Sequence, residues 1–180
     1  MDKKSLSKYL SLVLRHNPGV LGIALTDSGW AEVETLLRLM NESGKKVSME
    51  ALIQMVETND KQRFKFNEDR TWIRASQGHS INIDLELLPV KPPEILYHGT
   101  AVKNLSIIEK DGIKKMSRQH VHLSADEITA HKVGSRHGSP VILSVQSGKM
   151  QEAGFLFYQS DNGVWLTDFV SPEFIVFPEK

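Results

Sequence analysis

Leu6, Tyr9, Leu10, Val13 and Leu14 stand at i, i+3, i+4, i+7 and i+8, the apolar stripe of an amphipathic helix. Asp2 or Ser5 can cap its start, and Pro18 disfavours helical backbone at Asn17, so the helix is predicted to end near His16. Residues 21–30 read as a short extended piece and a turn, punctuated by Gly22 and by Asp27-Ser28-Gly29. Val33, Leu36, Leu37 and Met40 predict a second helix. After a loop around Gly44, a third begins near Ser48 and carries Met49, Leu52, Ile53 and Val56 on its apolar side. The period then changes from helical to alternating. Phe64 and Phe66 alternate with Arg63 and Lys65, and beyond the Asn67-Glu68-Asp69 turn Thr71 and Ile73 alternate with Arg70, Trp72 and Arg74, which predicts a hairpin.

Three helices and a basic hairpin have the layout of a winged-helix module, a frame that often meets nucleic acid. A frame alone does not assign a function. Gln77-Gly78-His79-Ser80 reads as a polar turn, and Pro89, Pro92 and Pro93 mark a domain boundary, dividing the chain into residues 1–90 and 91–180. The second half is predicted to be mostly strand. A short strand at 95–97 ends in His98-Gly99-Thr100, and a helix over 104–110 is stopped by Asp111-Gly112. Residues 115–124 read as extended, 125–132 as helical, 134–138 as a loop and 141–145 as a strand. A hairpin over 155–167 turns at Asp161-Asn162-Gly163, and 174–177 closes the sheet. The expected class is α+β.

Composition changes this picture in three places. Lys plus Arg equals Asp plus Glu at 22 each, so an anion site has to be assembled locally rather than by a global field. Cysteine is absent, which excludes disulfides, thiolate nucleophiles and cysteine-ligated zinc. No apolar run reaches the ~20 residues that span a bilayer, and the N-terminus lacks the apolar core of a secretory signal. The expectation is a cytoplasmic monomer with no membrane partner.

The candidate chemistry sits in short polar motifs. Arg15-His16 falls at the C-terminal end of the first helix, where the macrodipole by itself favours cations. Lys61, Arg63 and Lys65 are equally a solvated strand face. In an extended 115–124, Arg118, His120 and His122 would line one side, with Gln119, Val121 and Leu123 on the other. Gly99 permits close approach of backbone to a ligand, and His98 and Thr100 offer hydrogen bonds. Three histidines can hold zinc, but Arg118 on the same face would repel a dication, so no metal is expected. Arginines with histidines suit a phosphate receptor instead. Neither a GxxxxGK[ST] loop, a GxGxxG fingerprint nor a GxSxG elbow is present.

Taken in order, the motifs LRHNP, NDKQRF, QGHS, YHGT and MSRQHVHLS closely resemble those of the RNA 2′-phosphotransferase family, over nearly the whole chain. The resemblance implies an N-terminal winged-helix lobe and a C-terminal lobe like that of ADP-ribosyltransferases, with the active site in the cleft between them. It implies an Arg-His-Arg-Arg catalytic set on Arg15, His16, Arg63 and Arg118, and NAD-binding segments at His98, Gly99 and Thr100 and at His122, Leu123 and Ser124. Lys61, Gly78, His79, Ser80, His120 and Arg136 are candidate substrate contacts. The implied reaction consumes NAD as co-substrate. The RNA 2′-phosphate attacks its nicotinamide ribose, and the ribose 2″-hydroxyl then takes the phosphate, freeing a 2′-hydroxyl and ADP-ribose 1″,2″-cyclic phosphate. Toxin-like relatives carry a glutamate on the late strand that here reads Asn162-Gly163-Val164-Trp165, so ordinary protein ADP-ribosylation is disfavoured. The alternatives are ADP-ribosylation of nucleic-acid phosphate ends and a winged-helix nucleic-acid binder without catalysis.

Overall fold

The computed structural model describes residues 1–136 and 138–178 and divides into two compact units, Met1–Glu86 and Leu87–Lys180. Mixed helix and small sheets make the class α+β, with six α-helices among the described residues.

In the first unit α1 spans Lys3–Arg15 and is capped by Asp2, whose carboxylate accepts from the Ser5 N–H at 3.0 Å. Its C-cap is His16, where the approaching Pro18 ends helical geometry. There follow β1 (Ala31–Glu32), α2 (Val33–Glu42), α3 (Met49–Glu57), β2 (Phe64–Phe66) and β3 (Trp72–Ala75). Ser48 caps α3 by accepting from Ala51. The three strands form one antiparallel sheet in the order β1-β3-β2, with Phe64 opposite Ala75 and Lys65 opposite Arg74. Leu10, Val13, Leu14, Leu36, Met40, Leu52, Phe64 and Ile73 close the core beneath them. Met55, which the apolar stripe of the third helix does not include, is buried as well.

The second unit opens with β4 (Leu96–Ala101), α4 (Leu105–Asp111), β5 (Ile113–Lys114), β6 (Val121–Leu123), α5 (Glu127–Gly134) and β7 (Pro140–Val145). It continues with α6 (Ser147–Glu152), β8 (Tyr158–Gln159), β9 (Trp165–Thr167), β10 (Phe169–Val170) and β11 (Ile175–Val176). The sheet orders are β11-β7-β4, β6-β9-β8 and β10-β5, all antiparallel. Reciprocal hydrogen bonds between Tyr97 and Ser124, 2.9 and 2.8 Å, tie β4 to the end of β6. Leu96, Val121, Leu123, Leu143, Val145 and Phe157 fill the core.

Three expectations need correction. His98-Gly99-Thr100 does not end a strand; it lies within β4, paired along its length with β7. Residues 115–124 are not extended throughout: Met116 takes a left-handed φ of 54° and the Arg118 N–H donates to Lys115 O, so a turn precedes β6. Residues 155–157 lie before β8 rather than in the hairpin, and α6 precedes them. The loop expected at 134–138 includes His137, which lies outside the described residues.

Candidate active site

One cluster forms in the first unit where α1 ends. The Arg15 guanidinium donates from Nη2 to Arg63 O at 3.1 Å and lies 5.7 Å over the Phe64 ring. Arg63 reaches the other way, its Nη1 3.4 Å from Ser7 Oγ on α1. His16 is exposed, with its Nδ1 2.9 Å from Ser80 Oγ. The Ser80 N–H donates to Arg15 O at 2.9 Å, so the 77–80 turn grips the helix end twice. Gly78 has φ +86°, and a Cβ there would sit 3.6 Å from Arg15 Nη1, so the bare backbone runs alongside that guanidinium. Lys61 is exposed on the segment leading into Arg63. Arg15, His16 and Arg63 therefore converge, although they are far apart in sequence.

His79 departs from its expected role. It is 1% exposed, beneath the Gly29 turn, where it cannot touch a substrate. Neither ring nitrogen has a hydrogen-bond partner. Burial, with Arg15, His16 and Arg74 nearby, pushes its pKa from 6.5 down to about 4, so it is neutral at pH 7. Arg74 escaped the sequence reading as a buried residue. Its guanidinium stacks 4.7 Å from the Trp30 ring and donates to Ser28 O, bracing the same loop. Alternation had counted it only as a polar strand position, and no sequence signal marked it as core.

The second cluster lies in the second unit. His98 Nδ1 donates to His122 O at 3.2 Å, and Arg118 Nη1 donates to His122 Nδ1 at 3.2 Å. Arg118 thus meets His122 from a turn rather than from a shared strand. Burial foremost, and then Arg118, lower the His98 pKa and favour the neutral ring. Desolvation, and then the nearby Arg136, lower that of Arg118, which as a guanidinium stays charged. The two guanidiniums therefore feel each other's charge. His120 stands apart, its ring 5.9 Å from that of Tyr158. Its pKa is lowered by burial, opposed by Asp168 and reinforced by Lys115. Leu123 is 1% exposed and serves the core, while Ser124 supplies backbone bonds to Tyr97.

Gly99 has a packing reason rather than a ligand on its open side. A Cβ there would lie 1.7 Å from Ala130 O, so the missing side chain admits the α5 backbone. Gly134 meets Thr100 in the same way, at 2.8 Å from its carbonyl oxygen. Thr100 is buried and its hydroxyl accepts from Asn104 at 3.1 Å.

Residues 1–169 match the family model described as RNA 2'-phosphotransferase, Tpt1 / KptA family. The chain belongs to that family. The chain is 56% identical over 174 residues to a probable RNA 2'-phosphotransferase of Flavobacterium johnsoniae, covering 97% of this chain and 96% of the relative. A protein of the same description from Fusobacterium nucleatum is 51% identical over 173 residues, with 96% and 97% covered. One from Hahella chejuensis is 51% identical over 177 residues, with 97% and 95% covered. As a member of the RNA 2′-phosphotransferase family, the protein is a transferase whose family removes the 2′-phosphate from RNA. Among the described residues, no helix is long and apolar enough to cross a membrane.

Proposed function

We propose that this RNA 2′-phosphotransferase removes an internal 2′-phosphate from RNA by transferring it to NAD. The products are 2′-hydroxyl RNA, nicotinamide and ADP-ribose 1″,2″-cyclic phosphate. The observation that supports this most is the convergence of Arg15, His16 and Arg63 at one helix end, in a chain whose family is named for that phosphate.

The residues fit the co-substrate. Arg136 offers charge to a pyrophosphate, and His98, its Nδ1 proton committed to His122 O, keeps Nε2 as an acceptor when neutral. NAD supplies an electrophilic ribose carbon and a neighbouring hydroxyl that can receive the phosphate. The chain's own task is then positioning and charge. A phosphate dianion is already nucleophilic, so no general base is needed; it has to be held in line by cations. Arg63 and Arg118 take that part through forked N–H donors. Arg15 and His16 serve departure of the RNA oxygen, with His16 as the acid that protonates it and Ser80 holding its ring.

In this reading the first unit is a winged helix. The order α1-β1-α2-α3-β2-β3 with the sheet order β1-β3-β2 supports it. The second unit corresponds to an ADP-ribosyltransferase-like lobe, supported by the joined His98 and His122 strands. The test is a short RNA with one internal 2′-phosphate, incubated with and without NAD and followed for nicotinamide. Release that depends on both RNA phosphate and NAD is expected. Loss of the phosphate at equal rate without NAD would overturn the proposal.

A further inference from the structure

The first unit carries a groove of about 520 Å³ that the phosphate cluster only begins. One wall is the solvent face of α1, with Lys3, Lys4, Lys8 and, at the far end, His16. The other is the 58–63 segment, with Lys61 and Arg63. The walls are joined at Ser7, whose hydroxyl accepts from Asn59 at 3.3 Å and from Arg63 at 3.4 Å, and Lys3 Nζ reaches Thr58 Oγ1 at 3.4 Å. Asp60 is the one carboxylate on this lining. In a chain whose charges cancel overall, such a concentration of cations is local.

We propose that this groove is the path of the RNA strand that carries the 2′-phosphate, and that Lys4 and Lys8 bind backbone phosphates away from the reactive one. This rests on the RNA reading above. Lys4 and Lys8 are one helical turn apart on α1, and His16, at the C-cap eight residues beyond Lys8, lines the same groove. At 1.5 Å per residue the Lys8 and Lys4 positions lie about 12 and 18 Å from His16 along the axis. At about 3.4 Å of stacked strand per nucleotide, that reach covers roughly four or five nucleotides. Lysines on flexible stems act as point charges that follow a backbone without reading bases, so the path is indifferent to sequence. The enzyme accordingly measures the length of strand beside its target rather than its sequence.

The test is equilibrium binding of a fluorescent octanucleotide RNA without any 2′-phosphate, by anisotropy at two salt concentrations. Wild type is compared with K4Q/K8Q; both lysines are exposed, so folding is not at stake. Expected are about tenfold weaker binding and a salt slope shallower by roughly 0.7 for each lysine. The same variant is then assayed on a 2′-phosphorylated octanucleotide and dinucleotide, and its KM should rise far more for the longer RNA. Unaltered affinity and slope, or equal losses on both lengths, would overturn the path. A parallel arm measures sedimentation with vesicles of phosphatidylcholine and phosphatidylserine; a loss by K4Q/K8Q confined to the vesicles would overturn it too, assigning the face to lipid. Because the octanucleotide carries no 2′-phosphate, its binding answers independently of whether the chain transfers phosphate at all.

Discussion

In the proposed reaction Ser80 orients a group that acts without reacting itself. Its backbone N–H holds Arg15 O and its hydroxyl meets His16 Nδ1, so removing the hydroxyl takes one orienting contact from the imidazole while the helix end stays held. Ser80→Ala should therefore lower kcat about tenfold and leave KM nearly unchanged, the range expected when a partner that orients a reacting group is lost. Ser80→Thr should restore most of it; steady-state kinetics on a 2′-phosphorylated RNA decide. His79 makes a different prediction. Its folded pKa of about 4 lies below the unfolded 6.5, so between these values the unfolded chain binds the proton and the folded chain does not. Stability should fall as pH drops from 6.5 to 4, by roughly 3 kcal/mol at about 1.4 kcal/mol per pH unit. Denaturant unfolding across that window checks it, and His79→Leu should flatten that part of the curve. The two residues are neighbours in one polar tetrapeptide, and nothing in Gln-Gly-His-Ser distinguishes the one that turns inward. Burial there depends on the Gly29 turn packing over it, a contact across fifty residues.

At the scale of elements, what could be read depended on period and length. The first three helices carried clear apolar stripes with side-chain caps at Asp2 and Ser48, and they appear where those signals stand. The Asn162-Gly163 hairpin likewise follows from its turn chemistry. The strands β1, β5 and β10 are two residues each, too short for any alternation to register. Helix α6 is six residues long and opens Ser-Gly, with no stripe to announce it; Ser147 is instead bound to Pro93 O. The turn before β6 was hidden because a left-handed methionine has no sequence signature. Gly99 was legible as a glycine with a purpose, but not which purpose. Gly99→Ala would drive a methyl into Ala130 O, and since backbone cannot swing aside, β4 and α5 must part. A loss of about 3 kcal/mol or more is expected, read as a lowered denaturant midpoint.

For the molecule as a whole, Arg15, His16 and Arg63 belong to the first compact unit and Arg118 to the second. Each unit has its own apolar core, and each gathers cations and imidazoles at polar positions above it. The proposed reaction handles two anionic molecules, one an RNA and the other a dinucleotide, and calls for cations in both units. Family membership accounts for the RNA phosphate; the destination of that phosphate is the central claim. It is tested most directly with RNA whose internal 2′-phosphate carries a ³²P label, incubated with the protein and NAD. The account predicts that the label leaves the RNA and appears in an ADP-ribose cyclic phosphate. Label recovered as inorganic phosphate would contradict it, because the protein would then be a hydrolase.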